Sequence, residues 1–348
     1  MRKLAAITGL LMVLWGCGGS GGGVATPALR SYLGTQGPGD VWSWQLTDTT
    51  FTATNLTQSF HYTGTKSTLT TGFMKLSIAT SDDPGVTVGQ SAYALELPGT
   101  ALIMKPAGAD TKPPIIAASL GGNPAGPTAS FNYVDVGSST FQATDEAFGH
   151  VTFNVTGTTY TGTTKRFEIN GTALPDQPLT LVGNNGTMTQ TNNQSGPPAT
   201  GAMTPSGVCV FDFGPGNGGV IGVTQPASNV NLADLGTRSF RGYMINQGKT
   251  QCVTVTPNGD GTLHGSGYAN PSGVETGTMD GGGGPTITFV AQPNPGEVQI
   301  TLTYPSGGGG GTENLVAAIN RVGGKYMLFC MAVSAQGGQP YNVVLVEN

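Results

Sequence analysis

The chain is short of charge. Only 9% of its 348 residues are Asp, Glu, Lys or Arg, against about 25% in average proteins. Its 14 basic side chains form no cluster, so the electrostatic footprint of a nucleic-acid-binding protein is missing and no nucleic-acid partner is expected. Histidine is scarcer still. His61, His150 and His264 are the only three, and none lies near another in sequence. They are read as strand positions, not as ligands of a metal. Sustained 3.6-residue hydrophobic periodicity, the mark of an amphipathic helix, is absent beyond the amino terminus. Also absent is any apolar run of the roughly 20 residues that carry a helix across a bilayer.

What is present is glycine, threonine and short alternating apolar runs. The chain has 57 glycines and 23 prolines. Between them lie stretches rich in Thr, Val, Tyr and Phe, the residues that suit a pleated, half-buried surface. Val41–Leu46, Thr50–Thr54, Ser59–Tyr62 and Phe73–Ile78 read as strands. Tyr93–Leu97 and Ala101–Met104 flank the turn Pro98-Gly99. Ser130–Val134, Val151–Val155, Arg166–Ile169 and Leu179–Val182 follow, with hairpin signals at Asn170-Gly171 and at Asn184-Asn185-Gly186. The predicted fold class is all-β: antiparallel meanders forming barrel-like or sandwich domains, with little or no helix outside a signal peptide.

A polar gap interrupts this pattern between Thr189 and Gly207. Structureless loops longer than about 12–15 residues are uncommon inside a compact domain. The gap therefore places a linker at 191–206, between an amino-terminal β domain at 26–190 and a carboxy-terminal one at 207–348. The second half reads as a meander from Val208–Phe213 to Tyr341–Val346. Closing it into an up-and-down barrel would hide both edges, with a two-sheet sandwich as the competitor. Leu315–Ile319 reads as a strand or as a single helical turn.

Several motifs carry no chemistry on inspection. Gly214–Gly219 matches G-x-G-x-x-G, but Val220–Val223 after it is extended, whereas a dinucleotide site needs a helix there. Gly18–Gly22 matches G-x-S-x-G without a preceding strand. Asp82-Asp83-Pro84-Gly85 and Asn258-Gly259-Asp260-Gly261 supply too few oxygens for the six to eight (roughly) that calcium takes, and read as turns. No catalytic residue, metal or cofactor is assigned. Trp42 and Trp44 share one face of a strand. Turned inward they are core; turned outward they form an aromatic platform for sugars. Cys209, Cys252 and Cys330 are disulfide candidates if the protein is exported, allowing one bridge with one thiol left over. Cys330, inside Tyr326–Met331, reads as an inert buried thiol if unpaired.

The amino terminus gives the address. Arg2 and Lys3 precede Leu4–Trp15, twelve uncharged residues, which have the proportions of a signal-peptide h-region of about 7–15 residues. The run ends in Leu14-Trp15-Gly16-Cys17, and Gly18–Gly23 reads GGSGGG, a flexible coil. Leu14 at −3, Gly16 at −1 and then Cys17 resemble the lipobox of bacterial lipoproteins. The resemblance covers the first 17 residues only. It implies a signal peptide at 1–16, lipid attachment (palmitate-type acyl chains) at Cys17, and a tether at 17–25. Gly18 stands where an Asp would resemble an inner-membrane retention signal, which implies the outer membrane. Removal of residues 1–16 leaves 12 basic and 19 acidic side chains, a net charge of −7. The expectation is an envelope protein held to a membrane by its lipid, with a non-enzymatic binding or assembly role and a small apolar or glycan ligand. The alternatives are an adhesive surface protein or a hydrolase with a dispersed site.

Overall fold

The computed structural model describes residues 28–36, 39–107, 114–136, 147–192, 198–214, 218–236, 238–246, 249–258, 261–268, 271, 275–278, 284–306, 310–333 and 340–348. Cys17, the expected signal peptide at 1–16 and the expected tether at 17–25 lie wholly outside them, as do Gly281–Gly283 and Gly307–Gly309. The described residues are almost entirely β-structure, arranged as three antiparallel sheets in chain order.

The first sheet comprises β1 (Arg30–Gln36), β2 (Asp40–Leu46), β3 (Thr50–Asn55), β4 (Phe60–Thr68), β5 (Met74–Ser81), β6 (Ser91–Leu97), β7 (Ala101–Lys105) and β8 (Ile115–Ser119). Each strand pairs with the next, and β8 returns to β1, closing an eight-stranded barrel with no free edge. Alternation sorts the side chains. Trp42, Trp44, Phe51, Leu76 and Ile78 are buried in the interior, while Thr50, Thr52, His61 and Thr63 are exposed outside. Apolar inside and polar outside is the reverse of a membrane-spanning barrel. Gly64 makes one close approach possible: a Cβ there would lie 2.5 Å from Phe51 Cε1 and 2.1 Å from the Ser77 carbonyl oxygen.

The second sheet is also closed. It comprises β9 (Thr128–Val136), β10 (Ala147–Thr156), β11 (Thr159–Glu168), β12 (Ala173–Asn184), β13 (Thr187–Gln190), β14 (Thr200–Met203), β15 (Val208–Asp212) and β16 (Gly219–Thr224), with β16 paired to β9. Phe131, Tyr133, Phe153, Tyr160, Leu181 and Met188 fill its interior. The β12–β13 hairpin turns on Asn185 and Gly186, with φ of 51° and 88°; two successive positive φ values are what a type I′ turn requires.

This barrel corrects the expected boundary. Residues 191–206 do not separate two sheets, because β13 and β14 on either side of the gap are hydrogen-bonded neighbours in one barrel. The stave β14, Thr-Gly-Ala-Met, is too short and small to show an alternation, although Gly201, Ala202 and Met203 are buried. The first change of sheet falls instead at the Gly/Pro-rich stretch 120–127, so 26–190 spans one whole barrel and part of another.

The third sheet follows a short helix, α1 (Leu232–Leu235). Its strands are β17 (Phe240–Asn246), β18 (Lys249–Pro257), β19 (Leu263–Tyr268), β20 (Glu275–Thr278), β21 (Thr286–Asn294), β22 (Glu297–Tyr304), β23 (Gly311–Val322), β24 (Lys325–Val333) and β25 (Pro340–Glu347). The order is β20-β19-β18-β17-β25-β24-β23-β22-β21. Two meander arms therefore meet where the last strand pairs with the first. The start of β19 in one arm approaches β21, the end strand of the other, at a bridge between Thr262 and Thr286, flanked by Leu263 N–H to Pro285 O and Ile287 N–H to Gly261 O, both 2.8 Å. The sheet curls into a half-barrel and does not close as the meander suggested. Leu315–Ile319 is strand, inside β23.

One core joins the three sheets. Leu33, Ile116 and Ala118 from the outside of the first barrel meet Val208, Val210 and Ile221 from the outside of the second. Tyr243, Val316, Phe329 and Val344 from the convex face of the third complete it. Strands at this junction are buried on both faces, so β7, β8 and β15 are buried throughout and read as continuous apolar runs. Polar ties cross the junctions: Thr35 Oγ1 to Asp212 Oδ2 at 2.6 Å, Tyr243 Oη to the Tyr93 carbonyl at 2.7 Å, and His150 Nδ1 with Glu297 Oε2 at 2.6 Å. No helix among the described residues is long and apolar enough to cross a membrane.

Candidate ligand-binding site

The convex face of the third sheet is spent on that shared core, which leaves its concave face. Alternation sends Phe240 and Met244 from β17, Val253 and Val255 from β18, and Ile300 and Leu302 from β22 to this side. Leu328 and Cys330 from β24, with Tyr341, Val343 and Leu345 from β25, complete the wall, and α1 adds Leu235. They surround a cavity of about 320 Å3, inside the range of about 300–1,000 Å3 usual for small-molecule sites.

None of the described residues lining the cavity is charged. The polar groups on its wall are Gln251, Thr254, Ser266 and two tyrosines. Tyr304 and Tyr341 both donate to Glu313 Oε2, at 2.8 and 2.9 Å. Burial, and then the Glu313 carboxylate, hold both phenols above their ordinary pKa, so they remain neutral donors. Burial pushes the Cys330 thiol up to about 12. A thiol so hard to ionise is not a nucleophile. The arrangement can bury apolar surface and offer a few neutral hydrogen bonds.

Cys209, Cys252 and Cys330 are buried and form no disulfide among the described residues, which corrects the disulfide expectation. Cys209 faces the interior of the second barrel, Cys252 joins the shared core on the convex face, and Cys330 lines the concave face. Cys252 and Cys330 thus point to opposite sides of one sheet, and side chains so placed cannot meet.

The other candidates are dispersed. His61 and His264 occupy exposed positions of β4 and β19. His61 Nδ1 meets Asp82 Oδ2 at 2.9 Å on the rim of the first barrel, and His150 ties β10 to Glu297. Asp83 accepts from Tyr62 Oη and from the Gly85 amide, both at 2.7 Å, which is turn chemistry. Gly259 and Asp260 of the second turn lie outside the described residues. Beyond Gly214, β16 begins at Gly219 as strand, so the glycine motif opens no helix. Among the described residues no three His, Cys, Asp or Glu side chains converge as a metal would require. Trp42 and Trp44 turn inward and stack, with ring centroids 5.8 Å apart.

Two charged clusters sit inside the barrels. At one end of the first, Glu96 accepts from Arg30, Tyr32 and Lys66. Burial alone would raise its pKa, but those three donors outweigh burial and hold it below the ordinary range. At one end of the second, burial pushes Asp135 up to about 7, against the pull of Arg166 and the Ala147 amide. The cavity-lining residues of the third sheet were visible in the sequence only as the apolar half of each alternation. Which half would face a hollow and which the shared core depends on the barrels.

No protein family, curated protein or solved structure matches the chain.

Proposed function

We propose that this is a lipid-anchored bacterial envelope protein, most simply of the outer membrane, that holds a small apolar molecule in the hollow of its third sheet. One observation carries the binding half of the reading: the cavity of about 320 Å3 on the concave face, whose described lining is uncharged and largely apolar. A preformed cavity of this kind gains roughly 25 cal/mol for each Å2 of apolar ligand surface it removes from water. The address rests on Leu14-Trp15-Gly16-Cys17 and the glycine tether. A flexible tether would let the body ride beside the membrane that supplies apolar ligands.

Titration of the full chain with N-phenyl-1-naphthylamine tests the binding. The expected result is a saturable fluorescence rise at one site per chain. Val343→Trp, which fills the hollow from β25, should abolish it with little change in melting temperature. A rise that does not saturate, or that survives the filling substitution, overturns the proposal. Mass spectrometry of the membrane-extracted protein tests the address. An acylated peptide beginning at Cys17 supports it, and an intact stretch through residues 1–16 refutes it.

A further inference from the structure

The first barrel has a cavity of its own, of about 220 Å3. It lies at the opposite end from the Glu96 cluster, toward the rim formed by Asp40, Gln58 and Asp83. One wall is aromatic. Trp42 stacks on Trp44 and lies 5.4 Å from Tyr62, and Trp44 lies 6.0 Å from Phe51, measured between ring centroids. The facing wall is made of small and aliphatic side chains, Ala92, Leu76 and Met104 among them.

Two features of this cavity bear on what could occupy it. The first concerns donors. Trp42 and Trp44 are only 7% and 3% exposed, yet neither indole N–H finds an acceptor among the described residues. A buried donor left unpaired costs about 1–3 kcal/mol, and buried tryptophans usually find a partner. The second concerns acceptors. Asp40 accepts from Asn55 Nδ2 at 3.1 Å and from Gln58 Nε2 at 3.0 Å, and Asp83 accepts from Tyr62 Oη and Gly85 N–H. Neither carboxylate is paired with a cation among the described residues, and an ionised carboxylate has about four lone-pair sites to fill.

The ligand that meets both needs carries acceptors for the indoles, donors for the carboxylates and a face that stacks on aromatic rings. An anion is repelled by Asp40 and Asp83. A plain hydrocarbon satisfies neither need, and a quaternary ammonium offers the indoles no acceptor. A hydroxyl both donates and accepts, and the ring face of a sugar presents C–H groups to an aromatic surface. The size agrees. A cavity of about 150 Å3 admits a benzene-sized molecule, so this one has room for a single six-membered sugar ring. We infer that the first barrel binds one neutral sugar residue, at a site separate from the apolar hollow of the third sheet.

The test is tryptophan fluorescence of the full chain titrated with D-glucose, D-galactose, D-mannose and N-acetyl-D-glucosamine. Tetramethylammonium chloride and benzene serve as controls. A saturable change is expected with at least one sugar. Trp42→Phe keeps a ring and removes one N–H, and Asp40→Asn removes one charge. Each should weaken sugar binding about tenfold, the worth of one hydrogen bond. Val343→Trp, in the other cavity, should leave it unchanged. If Trp42→Phe lowers the melting temperature sharply, Asp40→Asn alone decides. Saturation by tetramethylammonium or benzene without saturation by any sugar overturns the inference. So does the absence of any saturable response, which would mean that the indoles are served by water only. N-phenyl-1-naphthylamine binding that Val343→Trp abolishes reports the third sheet, and sugar binding that Asp40→Asn weakens reports the first barrel, so either reading can fail without the other.

Discussion

Arg30 Nε donates to Glu96 Oε1 at 2.6 Å across one end of the first barrel. Residue 30 opens β1 and residue 96 nearly closes β6, so the contact spans the barrel and does not follow a hairpin. Lys66 Nζ reaches the other oxygen of Glu96 at 3.1 Å, and the Tyr32 hydroxyl shares the first at 2.7 Å. All four side chains lie on inward positions of their strands, so the charge belongs to the interior and closes it with one carboxylate beneath two cations.

Removing that carboxylate takes away the ion-pair partner of Lys66 and leaves Arg30 only the exposed Asp48. Glu96→Ala is expected to cost about 3–5 kcal/mol, as when one partner of a buried pair is lost. The carboxyl titrates below its ordinary value in the fold. Its contribution is therefore complete above the unfolded carboxyl pKa near about 4.3 and is lost as the pH falls through the lower, folded value. Urea unfolding between pH 7 and pH 3 should show stability falling in the acid limb for the natural protein and a flatter limb for Glu96→Gln.

Asp135 has the opposite sign. Burial raises it to about 7, so the folded chain holds a proton that the unfolded chain releases near about 3.9. Its contribution is fully present below that lower value and is lost as the pH rises through about 7. Among the described residues, Arg166 and Tyr133 are titratable groups that interact with it. Asp135→Asn should gain stability relative to the natural protein between pH 5 and pH 8 (roughly), by up to a few kcal/mol at ~1.4 kcal/mol per tenfold change in proton affinity. Equal pH dependence in the two proteins would contradict this placement.

The thiols give a third prediction. Cys209, Cys252 and Cys330 are buried and form no disulfide among the described residues, and burial keeps the Cys209 and Cys330 thiols from ionising. Iodoacetamide at pH 8 should label none of the three in the native protein and all three in urea, and dithiothreitol should leave the melting temperature unchanged. A drop in melting temperature on reduction would mean a disulfide that the fold does not contain.

Gly64→Ala tests the interior of the first barrel. The added methyl meets Phe51 Cε1 at 2.5 Å and the Ser77 carbonyl at 2.1 Å, and neither neighbour retreats without disturbing the barrel. Overpacking of this kind costs about 1–3 kcal/mol. Gly99→Ala, where nothing lies within 4 Å of the new carbon, adds no such collision. Its penalty comes only from a backbone φ of 69°, and it serves as the comparison in thermal melts.

Much of the fold was legible because most strands have one wet face. β2 and β3 alternate cleanly, and their hairpins are marked by turn residues with a defined chemistry. Legibility failed where a strand has no wet face. Ile115-Ile116-Ala117-Ala118 of β8 is buried on both sides, so period 2 vanishes and nothing marked it as the stave that closes the first barrel. β1 failed for a related reason: Leu33 faces the shared core while Tyr32 faces the interior, and Gly34 interrupts the run. β14 was hidden by its small residues, and the polar gap before it mimicked a linker. The candidate site was legible only in part. Apolar parity on β17 to β25 announced two buried faces, but not that one would meet the barrels and the other surround a hollow. Trp42 and Trp44 were visible as a pair. Their missing acceptors were not, since an unpaired donor is a property of the assembled interior.

The central claim is that the third sheet carries a small apolar molecule, and the most direct measurement is of what travels with the protein. The full chain, purified from membranes in mild detergent and examined by native mass spectrometry, should retain one small apolar molecule per chain. Organic extraction should then recover that molecule from the natural protein and not from Val343→Trp. A bare mass for the natural protein that takes up no added N-phenyl-1-naphthylamine, or an adduct equally present in both proteins, would contradict the account.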